Sequence, residues 1–228
     1  MKIITWNCNL NLVKKFEHVS KESPDIAIIQ ECEKLDENYF PNSKYFWLGK
    51  NEKKGLGVIV FNHSAKVSEP LNDKLIHFLP IETDILNIIG VWSHNHRASP
   101  KFGVDFSGNT SDALTNYEVL LSSSKKVLFA GDFNNSVIWD KGNKENNFSN
   151  INNKLNSLGL KSSYHEYTNE KFGEESKGTL FHTKKQNKPY FIDYIYYKEM
   201  NLSKVYVGQY DEWISLSDHM PVIAEFKS

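Results

Sequence analysis

Short apolar runs alternate with polar breaks along this chain, and they carry two periodicities. Lys2–Trp6 (KIITW) is β-branched and aromatic, the make-up of a buried strand. Leu12, Val13, Phe16 and Val19 follow at helical spacing, and Ser23–Pro24–Asp25 breaks the pattern. Ile26–Ile29 (IAII) is then a short apolar strand ending at Gln30–Glu31. The unit reads strand–helix–strand. Asn7 and Glu31 stand just past the two strand ends, where open α/β sheets place their ligand sites.

Further on, Tyr45–Leu48, Gly57–Phe61 (after the Gly55–Leu56–Gly57 turn) and Ile85–Ser93 are predicted strands. Ser111–Leu121 is a predicted helix with Leu114, Tyr117 and Leu121 on one face. Val127–Ala130 is a strand running into Gly131–Asp132–Phe133–Asn134, and Asn146–Asn156 is polar with a helical stripe of Ile151, Leu155 and Leu158. Phe191–Tyr197, Leu202–Val207 and Val222–Phe226 are the last predicted strands, and Thr168–Gly178 reads as a surface loop. No repeat or low-complexity linker interrupts the series. The expectation is one α/β domain spanning residues 1–228, with two packed sheets and helices outside.

Composition narrows the class. Hydrophobic residues at 39% and aromatics at 13% supply a core and exclude global disorder. With 27 Lys plus Arg against 28 Asp plus Glu, the formal charge is −1, so nucleic-acid binding would need a local basic face. Two cysteines exclude a disulfide scaffold and a multi-cysteine zinc site. The first residues lack a basic segment followed by a long apolar one, and no run approaches the ~18 apolar residues of a membrane span. A soluble, cytoplasmic protein without membrane association is therefore expected. Cys8 and Cys32 each follow a candidate site residue; neighbours on a strand face opposite ways, so both read as packing residues.

The candidate chemistry lies at strand ends: Asn7, Glu31, His94, Asp132, Asn134, Asp193, Asp218 and His219. Singly, each has a plain reading, as a turn residue, a tight Gly-Asp turn or a capping Ser-Asp-His. Their recurrence changes the picture, because charges buried at such positions need partners. Carboxylates with few thiols favour a hard cation such as Mg²⁺ or Mn²⁺. Trp139 and Trp213, on loops after Asp132 and before Asp218, are candidates to stack on bases. Lys53–Lys54 reads equally as a phosphate contact or a solvated loop, whereas the cluster Lys177, Lys184, Lys185 and Lys188 reads first as a solvated loop and second as a nucleic-acid backbone contact.

The ordered set Thr5–Trp6–Asn7–Cys8–Asn9, Ile29–Gln30–Glu31, Trp92–Ser93–His94, Gly131–Asp132–Phe133–Asn134, Ile192–Asp193–Tyr194–Ile195 and Ser217–Asp218–His219–Met220–Pro221 resembles the endonuclease/exonuclease/phosphatase superfamily. That superfamily of metal-dependent phosphoesterases includes exonuclease III-like and deoxyribonuclease I-like enzymes. The resemblance implies a four-layer α/β/β/α sandwich of two packed mixed β-sheets with outer helices. It implies a Mg²⁺ or Mn²⁺ ion held by Glu31, helped by Asn7 and Asp218. Asp132 would hold or deprotonate the attacking water, and Asn134 would orient that water or the phosphate. His219 would meet a phosphate oxygen or share in proton transfer, with Asp193 fixing its ring and His94 near the leaving group. Asn9 is either a turn residue or a substrate contact, and Ser217 braces its loop.

The residue types suit phosphodiester hydrolysis, in which a divalent ion and a histidine offset developing negative charge. The leading expectation is a DNA endo- or exonuclease with nucleic acid as its partner and no obligate protein partner. A phosphomonoesterase or small-molecule phosphodiesterase of the same superfamily is the alternative. A catalytically silent nucleic-acid-binding relative is the third reading, which the intact set of Glu31, Asp132, Asn134, Asp193 and His219 disfavours.

Overall fold

The structure, a computed structural model, describes residues 1–94, 109–142 and 144–227. Its strands are β1 (Lys2–Asn7), β2 (Ile26–Cys32), β3 (Ser43–Asn51), β4 (Lys54–Phe61), β5 (Ala65–Val67), β6 (Phe78–Thr83) and β7 (Asn87–Trp92). They continue as β8 (Val127–Asp132), β9 (Lys161–Ser162), β10 (Leu180–Phe181), β11 (Pro189–Tyr190), β12 (Asp193–Lys198), β13 (Asn201–Val207) and β14 (Val222–Lys227). The helices are α1 (Leu12–Lys21), α2 (Thr110–Asn116), α3 (Glu118–Leu121), α4 (Phe148–Ser157), α5 (Ser163–Thr168) and α6 (Tyr210–Trp213).

Two six-stranded mixed sheets form, in the orders β13-β14-β1-β2-β4-β3 and β5-β6-β7-β8-β12-β9. Each holds one parallel pair near its middle, β1 with β2 and β7 with β8. The sheets face each other through β1, β2 and β4 on one side and β7 and β8 on the other. Strands covered on both faces lose the apolar–polar alternation and become continuous apolar runs. So Ile26, Ala27, Ile28 and Ile29 are all buried, as is every residue of β8. Each buried aliphatic side chain contributes about 1.5–3 kcal/mol. Among the described residues no helix is long and apolar enough to cross a membrane.

Three local departures from the sequence expectation have visible causes. The expected strand 85–93 begins only at Asn87, because the Thr83 hydroxyl accepts the Ile85 and Leu86 amides and bends those residues into a hairpin turn. The expected helix 111–121 starts a residue early, on an Asn109–Asp112 capping box, and divides at Tyr117. There φ −101° and ψ 16° interrupt the helix and the ring is buried. Strand β6 was not expected: Pro80 sits inside it and reads as a breaker, yet it pairs with Ile89 and its carbonyl accepts the Ser68 amide.

Candidate functional site

Strands β8 and β12 are antiparallel, and their register sets Asp132 opposite Asp193. The last residue of one strand thus meets the first of the other, and both carboxylates are fully buried. Gly131 makes this approach possible. A Cβ there would lie 1.8 Å from the Val91 carbonyl oxygen, and its φ of 150° is one that side-chain-bearing residues rarely adopt.

Two buried acids side by side need donors and a cation. Asp132 Oδ1 accepts the Asn134 amide at 2.8 Å. Its Oδ2 accepts Asn7 Nδ2 at 3.0 Å and Asn134 Nδ2 at 3.2 Å. Asn134 also donates to the Ser93 carbonyl at 3.0 Å, which ties the turn after β8 to the end of β7. A φ of 45° at Asn134 makes this short turn, and asparagine tolerates it. His219 Nδ1 lies 3.0 Å from Asp193 Oδ2, and the ring is buried. Asp193 Oδ1 is buried without a hydrogen-bond partner among the described residues.

The charges follow from this packing. Burial, reinforced by the neighbouring Asp193 charge, pushes the Asp132 carboxyl up to about 7. Burial by itself would lower the His219 pKa, but the charge and hydrogen bond of Asp193 outweigh it and push the imidazole up to about 10. At neutral pH the cluster therefore holds an imidazolium against Asp193 and a carboxyl poised near its titration point.

The surrounding polar residues are braced from both sheets. Ser217 Oγ donates to the Asn7 carbonyl at 2.7 Å and accepts the His219 amide at 3.0 Å. Trp6 Nε1 donates to the His219 carbonyl at 2.9 Å. Asn9, at φ 50°, donates through its amide N–H to Asn7 Oδ1 at 3.1 Å and through Nδ2 to Asp218 Oδ1 at 3.4 Å. Asn7 pairs with Gln30 across β1 and β2, so Glu31 follows directly beside it. The register of β2 against β4 shifts at Glu31, whose φ is 58°; this bulge turns its side chain out of the packed interior, leaving it 19% exposed.

Of the sequence candidates, the structure draws Asn7, Asp132, Asn134, Asp193 and His219 into one hydrogen-bonded cluster and hangs Asn9 and Asp218 on its edge. Glu31 lies next to it and pairs with Lys54 at 2.9 Å. His94 packs its ring on Trp92 and His77, with centroids 4.4 and 4.3 Å away. Trp139 is 41% exposed and leans on Tyr190 at 5.3 Å. Trp213 is a correction: it is buried, edge-on to Trp6 at 4.9 Å, and offers no face to a base. It closes the short helix α6 over the core. Cys8 and Cys32 are buried, and burial raises both thiols, Cys32 to about 12, so both are inert packing groups.

Two bracing residues carried no signal in the sequence. Thr179 Oγ1 accepts the amides of Ile192 and Asp193 at 3.0 and 3.1 Å, while its carbonyl accepts the Met220 amide at 2.7 Å. One loop residue thereby fixes both partners of the Asp–His pair. Lys15, from α1, donates to the Cys8 and Asn9 carbonyls at 2.6 and 3.1 Å and pins the turn that carries Asn9.

The donor set can be tested against a divalent cation. One atom from each of Asp132, Asp193 and His219 lies within 4.8 Å of the others, close enough to hold an ion. His219 Nδ1 is engaged with Asp193, however, and a ring protonated on both nitrogens has no lone pair to give. Glu31, Asn7 and Asp218 offer oxygen donors alone, the preference of a hard ion.

The sequence matches the description Endonuclease/Exonuclease/phosphatase family over residues 4–219. A comparison with curated proteins gives no significant match. Among solved structures, the chain is similar to the 3′ phosphatase NExo from Neisseria bound to product DNA hairpin, with 24% identity over 100% of both chains and a TM-score of 0.71. It is similar to the 3′-5′ exonuclease NExo from Neisseria meningitidis, at 22% identity over 100% of both chains and a TM-score of 0.72. An AP endonuclease from Archaeoglobus fulgidus gives 15% identity over 100% of both chains and a TM-score of 0.69. At these identities the likeness establishes the fold, an α/β sandwich of two mixed sheets.

Proposed function

The chain belongs to the endonuclease/exonuclease/phosphatase family and is a metal-dependent phosphoesterase, and from that premise we propose that it hydrolyses phosphodiester bonds in DNA with Mg²⁺ or Mn²⁺. The observation that carries this reading is the buried Asp132–Asp193–His219 cluster, in which the strand register sets the two carboxylates opposite each other, Asn7 and Asn134 donate to Asp132, and His219 Nδ1 lies 3.0 Å from Asp193.

Glu31, Asn7 and Asp218 would hold the ion, which supplies Lewis-acid stabilisation of charge on the phosphate. Asp132 serves as the proton acceptor for the attacking water. Its pKa near 7 suits that task, since a general base works best close to the operating pH. Asn134 commits its side-chain N–H groups to Asp132 and Ser93, which leaves Oδ1 to accept a hydrogen bond from that water. His219 stays protonated and places positive charge against a phosphate oxygen. Asp193 stabilises that imidazolium and fixes the ring through Nδ1. His94 stands by the leaving group. Trp139, exposed beyond Asn134, supplies an aromatic face for a base.

DNA is favoured by the nuclease activities of the similar solved structures and by the DNA hairpin bound to one of them. The 3′ phosphatase among them favours a second reading, a terminal phosphomonoester on DNA. A panel of single-stranded, double-stranded, abasic and 3′-phosphorylated DNA, RNA and inositol phosphates separates the two. Cleavage of internal DNA linkages at the lowest enzyme concentration supports the proposal. Release of inorganic phosphate alone moves the assignment to the second reading.

A further inference from the structure

Lys54 opens β4 in the first sheet, and its ammonium group does two things at once. It lies 2.9 Å from Glu31 Oε2, and it stands over the Trp92 ring, 5.5 Å from the centroid. Trp92 ends β7 in the second sheet and is the register partner of Asp132. One flexible cationic side chain therefore spans from the carboxylate assigned to the metal to the strand beside the Asp–His cluster. The Glu31 backbone sits in a bulge at φ 58°, with its carbonyl accepting the Leu10 amide at 3.0 Å, and its side chain leaves the packed interior beside Lys54. Lys54 supplies that carboxylate's counter-charge at 2.9 Å.

We propose that Lys54 is the resident counter-ion of Glu31 in the metal-free protein, that a divalent cation displaces it, and that the displaced ammonium binds a phosphate oxygen of the substrate. The proposal rests on the assignment of Glu31 as a metal ligand. Trp92 gives the ammonium a second resting place, because an aromatic face attracts a cation. With the ion on Glu31, two positive charges share the mouth of the site until a phosphate comes between them. Metal and substrate therefore bind with positive coupling, and each tightens the other by the same factor. Lys54 is a positioning and specificity residue that favours anionic diesters entering alongside the metal.

The test is calorimetric titration of Mn²⁺ into wild type, Lys54→Met, Lys54→Gln and Glu31→Gln proteins. Each is measured alone and with a DNA oligonucleotide, both arms in an Asp132→Asn background that slows turnover. Removing one partly exposed charge near the ion should tighten Mn²⁺ binding by about three- to tenfold without DNA. The extra tightening that DNA gives to the Lys54 protein should vanish in Lys54→Met, and the salt slope of DNA binding should fall by about one phosphate contact. Lys54→Gln, which keeps a polar end, should behave as Lys54→Met. Unchanged or weaker Mn²⁺ binding in both Lys54 variants overturns the inference. Undiminished Mn²⁺ binding in Glu31→Gln instead overturns the metal assignment beneath it.

Discussion

Asp193→Asn keeps the volume of a fully buried side chain and removes one charge 3.0 Å from His219 Nδ1. In the native protein the Asp193 charge and hydrogen bond push the imidazole up to about 10, so the ring is essentially all cationic at pH 7.5. Without the Asp193 charge, burial pulls the ring back toward or below its ordinary value of ~6.5, and the cationic fraction at pH 7.5 falls to about 10% or less. Lost orientation adds to lost charge, because an asparagine holds either ring tautomer. Turnover should fall on the order of 10²–10⁴-fold, equivalent to about 2.7–5.4 kcal/mol of transition-state stabilisation. The assay is a double-mutant cycle on kcat at saturating Mn²⁺ with Asp193→Asn, His219→Ala and the pair. A misoriented histidine and an absent one fail at the same step, so the double variant should be little worse than His219→Ala alone. Losses that multiply would show that Asp193 has a separate task, such as ligation of the ion through its unpartnered Oδ1.

Glu31→Gln should weaken Mn²⁺ binding, and raised Mn²⁺ should restore part of the rate, whereas it should not rescue Asp193→Asn; a metal titration of initial rates checks both. The pH profile of kcat should be bell-shaped, rising through about 7 as Asp132 loses its proton and falling through about 10 as His219 loses its own. His219 is raised above its unfolded value, so its stabilisation is fully present below ~6.5 and lost as pH climbs toward 10. The Tm difference between wild type and His219→Ala should accordingly shrink between pH 6 and pH 10 in thermal melts. Gly131→Ala should destabilise the fold by on the order of 4 kcal/mol or more, read by denaturant unfolding, because its Cβ would overlap the Val91 carbonyl. Trp213→Ala should cost about 3–5 kcal/mol of stability through its buried packing on Trp6, with KM for DNA unchanged in whatever fraction remains folded.

Glu31 and Asp132 were legible in the sequence because each follows a short run buried on both faces, whereas Asp193 opens its strand and Asp218 lies in the loop before the last one. Val127–Gly131 carries no polar side chain, and only a residue with a task tolerates being Asp at the buried position that follows, as Asp132 does. The strand–helix–strand reading of residues 2–29 held for the same reason, with α1 burying Leu12 and Val19. What escaped has no periodicity to give it away. Thr179 lies in a loop and acts through backbone amides of residues 192, 193 and 220, contacts that only the folded chain creates. Lys15 reads as one more solvent-facing lysine of an amphipathic helix until the carbonyls of residues 8 and 9 turn toward it. Trp213 reads from the sequence as a loop residue before Asp218, but one turn of helix is enough to point the indole inward.

The most direct test of the account is single-turnover cleavage of an end-labelled DNA duplex by wild-type protein and Asp132→Asn, with Mn²⁺ and with excess chelator. The account predicts internal or terminal diester cleavage by wild type with Mn²⁺, none in chelator, and a loss on the order of 10²–10⁴-fold in Asp132→Asn. Full activity in chelator, or undiminished cleavage by Asp132→Asn, would contradict it.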